Sequence, residues 1–330
     1  MQSRVALKKI LIASFSVLAV GNFPAAAIAQ EKPWPTQTVK IIVPFAAGGV
    51  TDVLARILTE RLGKALGQPF IAENRPGAGS TLGASIAATA KPDGYTFMLM
   101  STSHLFAPVM YKNLPYDALT DFEPVARIVS SAFVMAINPQ VPAKTVQEFI
   151  ALSKSKPGEM NFGSSGNGGN QHLVASMYLQ ASKTDLKHVP YKGSSPVTVD
   201  LMGNQVQMAF MAINNALPQI KSGKLRALGV TSEKRMEELP TVPTMAEAGL
   251  PGFKATFWLA LVAPKGTPSA IIQRVEQEIL KVVEIPEVQR QLREGGLDVD
   301  IARTAQFKGG LKAESERWIA LARSSNLSAE

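Results

Sequence analysis

Short β-branched runs alternate with segments of helical period along this chain, and turns rich in glycine and proline join them. Val39-Lys40-Ile41-Ile42-Val43 reads as a buried strand, broken at once by Pro44, Gly48 and Gly49. Leu54, Ile57, Leu58, Leu62, Ala65 and Leu66 then recur at spacings of three and four, which predicts an amphipathic helix ending near Gly67. Residues 70–72 predict a second strand, 81–90 a second helix and 95–100 a third strand after the Lys91-Pro92-Asp93-Gly94 turn. Further on, helices are expected over 146–154, 172–181 and 197–202, and extended segments over 188–191, 206–210 and 225–230. Two long helices near 269–283 and 305–322 close the chain. Such alternation with short connections predicts an α/β fold with parallel sheets. Residues 125–138 and 255–263 have the length to cross between two domains as strands. One lobe would combine 30–130 with 257–330 and the other would be 131–256, with ligand in the cleft beyond the carboxyl ends of the strands.

The first 29 residues stand apart from this rhythm. Arg4, Lys8 and Lys9 give a basic start, residues 10–20 form an apolar run, and Ala27-Ile28-Ala29 is a small-residue cleavage pattern. This is the layout of a signal peptide, cleaved near Ala29 on export to the periplasm. As a helix the apolar run spans only ~16 Å, about half a bilayer core, which argues against an anchor. The chain carries 34 Lys+Arg against 26 Asp+Glu, for a formal charge of +8. Part of that excess belongs to the leader. The remaining basic residues are scattered without a nucleic-acid-binding pattern, so no nucleic acid partner is expected. Absence of cysteine excludes disulfides, a thiol nucleophile and thiolate metal sites. The three histidines, His104, His172 and His188, lack metal-ligand spacing, so neither a metal nor a cofactor is expected.

Three glycine-rich turns are the places where chemistry would sit. In Pro44-Phe45-Ala46-Ala47-Gly48-Gly49-Val50-Thr51-Asp52 a strand runs through a turn into a helix, exposing backbone N–H groups at the positive helix end. No Gly-Lys-Ser/Thr follows, so it is not a P-loop. The competing reading is a plain tight turn, with Thr51 as cap and Asp52 set against the helix dipole. Gly163-Ser164-Ser165-Gly166-Asn167-Gly168-Gly169-Asn170 again precedes a helix, and its hydroxyls, amides and N–H groups can surround a carboxylate. A flexible linker is the alternative. Neither loop holds Lys or Arg, so an anion there would be gripped by backbone N–H groups, hydroxyls and water. The third turn, Asn74-Arg75-Pro76-Gly77-Ala78-Gly79-Ser80, superficially resembles a dinucleotide loop. It follows the second strand instead of the first, and nucleotide binding is not assigned. Ser164 and Ser165 lack a nucleophile elbow. His172 reads as a packing or capping residue and His188 as structural, while His104 stands at a strand end within a ligand's reach.

Seven motifs in order resemble one family. They are Val43-Pro44-Phe45 with Gly48-Gly49 and Thr51-Asp52, Asn74-Arg75-Pro76-Gly77-Ala78-Gly79, Pro92-Asp93-Gly94-Tyr95, Gly163-Ser164-Ser165-Gly166-Asn167-Gly168, His188-Val189-Pro190-Tyr191-Lys192-Gly193, Ser222-Gly223-Lys224-Leu225-Arg226-Ala227-Leu228, and Pro243-Thr244 with Ala248-Gly249. Together they resemble the Bug family of periplasmic solute-binding proteins, the extracytoplasmic components of tripartite tricarboxylate transporters. The resemblance implies a type II periplasmic-binding-protein fold, two α/β lobes joined by two crossing strands and closing over a small organic carboxylate. By motif it places Phe45, Ala47, Gly48, Gly49 and Thr51 of the first loop and Ser164, Ser165, Asn167, Gly168 and Asn170 of the glycine–serine loop against the ligand. Thr102, Ser103 and His104, with Lys192 and Gly193, face the same cleft. Family members usually carry prolines where Ala46 and Ala47 stand and often a serine where Val50 stands. The implied protein is a monomer and not an enzyme, and it delivers its ligand to membrane permease subunits. Two other readings are a ligand sensor for a signalling receptor, and a hydrolase or decarboxylase using Ser164 or His104.

Amino-terminal sequencing of the exported protein should begin at or near Gln30. Full-length chain held in the membrane would contradict the reading of residues 1–29.

Overall fold

A computed structural model of the protein describes residues 34–325 and Leu327, so the export segment read from residues 1–29 lies outside the described residues. The chain begins with β1 (Val39–Val43), α1 (Val50–Leu66), β2 (Phe70–Asn74), a 3-10 turn (Ala78–Ser80), α2 (Thr81–Ala88), β3 (Thr96–Ser101) and α3 (Ser103–Met110). After the long strand β4 (Phe122–Ile137) come α4 (Val146–Ser155), β5 (Asn161–Ser164), α5 (Asn170–Ser182), β6 (Lys187–Pro190), α6 (Ser194–Met202), β7 (Met208–Ala212), α7 (Ile213–Lys221) and β8 (Arg226–Val230). The chain then returns through β9 (Thr256–Pro264), α8 (Ser269–Glu284), α9 (Pro286–Glu294), β10 (Asp298–Arg303) and α10 (Thr304–Ser324).

The strands run in the order β2-β1-β3-β9-β4-β7-β5-β6, with β8 and β10 also paired to β4. β1 is parallel to β2 and β3, and β5 is parallel to β6 and β7, so each half has a parallel core. β4 ties the halves together. Its residues from Phe122 to Ala132 pair antiparallel with β9, and from Phe133 to Ile137 with β7. This is the two-lobed α/β arrangement, with strands crossing near the two segments expected to do so.

Parallel strands covered on both faces are apolar throughout. β1 and β3 divide their side chains by period two: Ile41, Phe97 and Leu99 pack towards α1 and α8, while Ile42, Met98 and Met100 pack towards α3 and α10. α1 answers with Leu54, Leu58 and Leu62, one stripe at i, i+4 and i+8, all at most 1% exposed.

Where β4 passes from one half to the other, Thr231 joins three chain segments. Its N–H donates to the Phe133 carbonyl (2.9 Å), and its hydroxyl accepts from the Phe133 N–H (2.8 Å) and donates to the Ala255 carbonyl (2.6 Å). The Ala255 N–H returns a bond to the Thr231 carbonyl at 2.9 Å. A fully buried hydroxyl thus replaces the ladder that the strands themselves do not complete at the crossing. Thr231→Val keeps the shape but strands the Phe133 N–H without an acceptor. Urea denaturation should show a loss of about 1–3 kcal/mol, the cost of a buried unpaired donor; unchanged stability would mean that the hydroxyl does not hold the crossing together.

Candidate functional site

The β1–α1, β5–α5 and β6–α6 connections all open on one cavity of about 680 Å³ at the carboxyl ends of their strands. Each of the three helices that follow starts from a glycine: Gly49 before α1, Gly169 before α5 and Gly193 before α6. None of these helix starts receives a side-chain cap. The first backbone bonds inside α1 and α5 come from the Val53 and Leu173 N–H groups, so those of Val50, Thr51, Asn170 and Gln171 lie ahead of any helical acceptor. Gly49, Val50 and Thr51, Gly169, Asn170 and Gln171, and Gly193 and Ser194 all line the cavity. Three positive helix ends therefore face one cavity.

The first loop is braced from behind by Asp52. Its carboxylate accepts from the Gly48 N–H (3.1 Å), from Asn74 Nδ2 (3.1 Å) and from Arg56 Nε (2.9 Å), while Asn74 also donates to the Phe45 carbonyl (3.1 Å). Burial alone would raise this carboxyl, but those donors outweigh it and hold it below the usual carboxylate range. Gly48, at φ +85°, sits in the left-handed region that this tight return requires.

Neutral imidazoles brace the second loop. His172 Nδ1 accepts from the Gly168 N–H (3.2 Å), and its ring stacks on His188 with centroids 3.9 Å apart. His188 stacks in turn on Phe162, and its Nε2 lies 2.6 Å from the Ser164 hydroxyl. Gln171 Oε1 accepts from the Ser165 N–H at 2.8 Å, and its amide reaches Ser194 of the third loop at 3.4 Å.

The two halves also meet along a seam beside the cavity. Tyr111 donates to the Asn167 carbonyl (3.1 Å), Thr102 to Asn170 Oδ1 (2.8 Å), and Asn170 Nδ2 to the Ser101 hydroxyl (3.3 Å). Gly79, at φ +61°, sits so close that a Cβ would overlap the Asn167 carbonyl and the Tyr111 hydroxyl. Burial, followed by the Asp200 carboxylate to which it donates at 2.6 Å, pushes Tyr191 up to about 12, so its hydroxyl keeps its proton.

This arrangement is shared with known proteins. Residues 54–327 match the model of the tripartite tricarboxylate transporter family receptor. The chain belongs to this family. BugT of Bordetella pertussis is 35% identical over 303 residues, which cover 90% of this chain and 92% of BugT. The solved structure of R. palustris Rpa4515 with adipate superposes at TM-score 0.86 with 31% identity, covering 90% of this chain and 100% of that one. MatC (Rpa3494) from Rhodopseudomonas palustris with bound malate superposes at 0.82 with 32% identity, over 87% and 99% of the two chains. The family is one of periplasmic solute-binding proteins, and the fold is the type II periplasmic-binding-protein fold.

Among the residues expected at the ligand of this receptor, Phe45, Gly49, Thr51, Ser165, Asn167, Asn170, Lys192 and Gly193 line the cavity. Ala47, Gly48, Thr102, Ser103, His104, Ser164 and Gly168 lie outside its lining. Several of these have their polar groups turned to the protein. The Gly48 N–H goes to Asp52, the Gly168 N–H to His172, and Thr102 to Asn170. Ser164 is fully buried against His188, and His104 is fully buried with Nδ1 3.1 Å from the Ser101 N–H. Thr51 is not a cap, because that position falls to Gly49. The lining also includes Pro76, Gly77, Ala78, Gly79 and Ser80, the turn set aside in sequence because it failed a dinucleotide template. Its strand–glycine–helix order was the same signal that marked the other two loops. Phe133, Phe257 and Leu259 come from the crossing strands and read in sequence as core.

Burial lowers His104 from 6.5 to about 4 and His188 to about 4; burial and then the neighbouring His188 lower His172 to about 3. The unfolded chain therefore takes up these protons first as pH falls. Stability should be full above about pH 6.5 and should decline towards about pH 4, by roughly 1.4 kcal/mol per pH unit for each histidine. Chemical denaturation in the upper part of that window, between about pH 6.5 and about pH 5.5, checks it, above the range in which carboxyl groups take up protons. A flat profile would mean that the imidazoles protonate freely in the folded protein.

Proposed function

We propose that this receptor captures a small organic carboxylate in the periplasm and presents it to the permease subunits of a tripartite tricarboxylate transporter. The observation that carries the reading is the convergence of three glycine-capped helix starts on one cavity. An exposed helix end favours an anion by about 0.3–1 kcal/mol, rising to about 2 when partly buried. Each hydrogen bond to a charged acceptor adds about 1.5–3 kcal/mol. Three such ends replace a formal cation, and Lys192 is the one charged side chain among the described residues that line the cavity. The adipate-bound and malate-bound relatives support a carboxylate as the anion. The residues proposed to meet it are Phe45, Gly49, Thr51, Ser165, Asn167, Asn170, Lys192 and Gly193, with Gly48, Ser164 and Gly168 shaping the loops from behind. Closure would bring residues 30–130 with 257–330 against 131–256. Binding needs no nucleophile, in keeping with the engagement of Ser164 inside the protein.

Gly169→Asp tests the reading directly. Gly169 has φ −78°, and a Cβ there would meet its nearest atom, the Gly166 carbonyl oxygen, at 3.5 Å, so the fold accepts a side chain. An aspartate at this position caps α5 itself, a change worth about a few tenths of a kcal/mol relative to glycine, and sets a negative charge where the ligand's would lie. A thermal-shift panel of small carboxylates identifies an acid that raises the melting midpoint. Titration calorimetry with that acid should then show at least a tenfold loss of affinity in Gly169→Asp, with a melting midpoint no lower than that of the parent. Parent-like affinity would rule out the α5 terminus as a holder of the anion.

A further inference from the structure

We propose that the acid taken by this site has a flat, apolar ring as its body and carries no ammonium group. The proposal rests on the carboxylate reading above and concerns the rest of the ligand. Five of the 28 residues lining the cavity are aromatic, against 7% of the whole chain. Two of them, Phe133 and Phe257, come from the crossing strands β4 and β9 and stack with centroids 4.8 Å apart at 27°. Beside them Ala212 pairs with Phe133 across the ladder, and Leu259 pairs with Ser101, so the strand residues lining the cavity here are apolar apart from Ser101. A surface of this kind gains from a ligand that extends the stack and gains nothing from hydroxyls, which would be desolvated against ring faces without partners.

The charge inventory narrows the class further. No Asp or Glu is among the described residues lining the cavity. The two carboxylates next to its loops are already engaged, Asp52 with Gly48, Asn74 and Arg56, and Asp200 with the Tyr191 hydroxyl. An amino-acid ligand would bury its ammonium with no counter-charge, facing three positive helix ends and Lys192. Amine-free ring acids satisfy the site; α-amino acids and flexible aliphatic diacids match it less well.

Titration calorimetry on the full protein with benzoate, phenylalanine, adipate and benzamide tests this. Benzoate should bind at least tenfold tighter than phenylalanine and adipate. Phe133→Leu and Phe257→Leu, each confirmed folded by circular dichroism, should each lose at least fivefold for benzoate and proportionally less for adipate. Adipate or phenylalanine binding as tightly as benzoate, or both leucine variants binding benzoate as the parent does, overturns the proposal and leaves the carboxylate reading standing. If benzamide matches benzoate, or if neither benzoate nor adipate binds, the carboxylate reading itself fails and the proposal falls with it.

Discussion

Backbone N–H groups at the start of a helix have no acceptor within it, and this fold brings three such starts to one cavity with glycine in each capping position. A serine or aspartate at Gly49 or Gly169 would satisfy that end locally and remove its attraction for an anion, whereas at Gly193, φ +113°, a Cβ would run into Ala46. The rest of the site can be understood as support for that unsatisfied state. Asp52 spends its charge on the turn behind α1, and the His172–His188 stack fills the space behind the glycine–serine loop. Both keep the loops rigid without placing a group in the cavity.

The support depends on burial. Asp52 is 4% exposed, yet it is ionised because three donors surround it. The imidazoles are in the opposite situation: their surroundings offer too little to stabilise a charge, so they serve as flat, neutral packing pieces whose nitrogens accept loop N–H groups. An ionised carboxylate and neutral histidines thus do the same structural work in adjacent loops.

The main architecture was legible in the sequence where one signal dominated. β1 is a β-branched run, α1 a clean i, i+4 stripe, and β4 and β9 are too long and apolar for surface strands. Elements with mixed signals were missed. α3 and α7 contain Pro108 and Pro218, which read as breakers, and β10 alternates aspartates with apolar residues and pairs with β4 through a bulge. At the site, glycine content marked the loops but could not say which way each polar group turns. Ser164 and Gly48 have the right chemistry for a ligand and give it to His188 and Asp52 instead. Phe133 and Phe257 carried no signal, because an aromatic residue in a buried strand looks the same whether it faces a core or a cavity.

The seam formed by Tyr111, Asn167, Thr102 and Asn170 ties the two halves together beside the cavity. Its hydrogen bonds join protein to protein beside the cavity. If the two halves must part for release, such bonds add to the barrier for escape, and changes of this kind appear mainly in the dissociation rate. Of the four residues only Thr102 lies outside the cavity lining, so a change there alters the seam with the least change to the pocket. In a solute-binding protein, bonds of this kind act on how long a ligand is held as well as on how tightly.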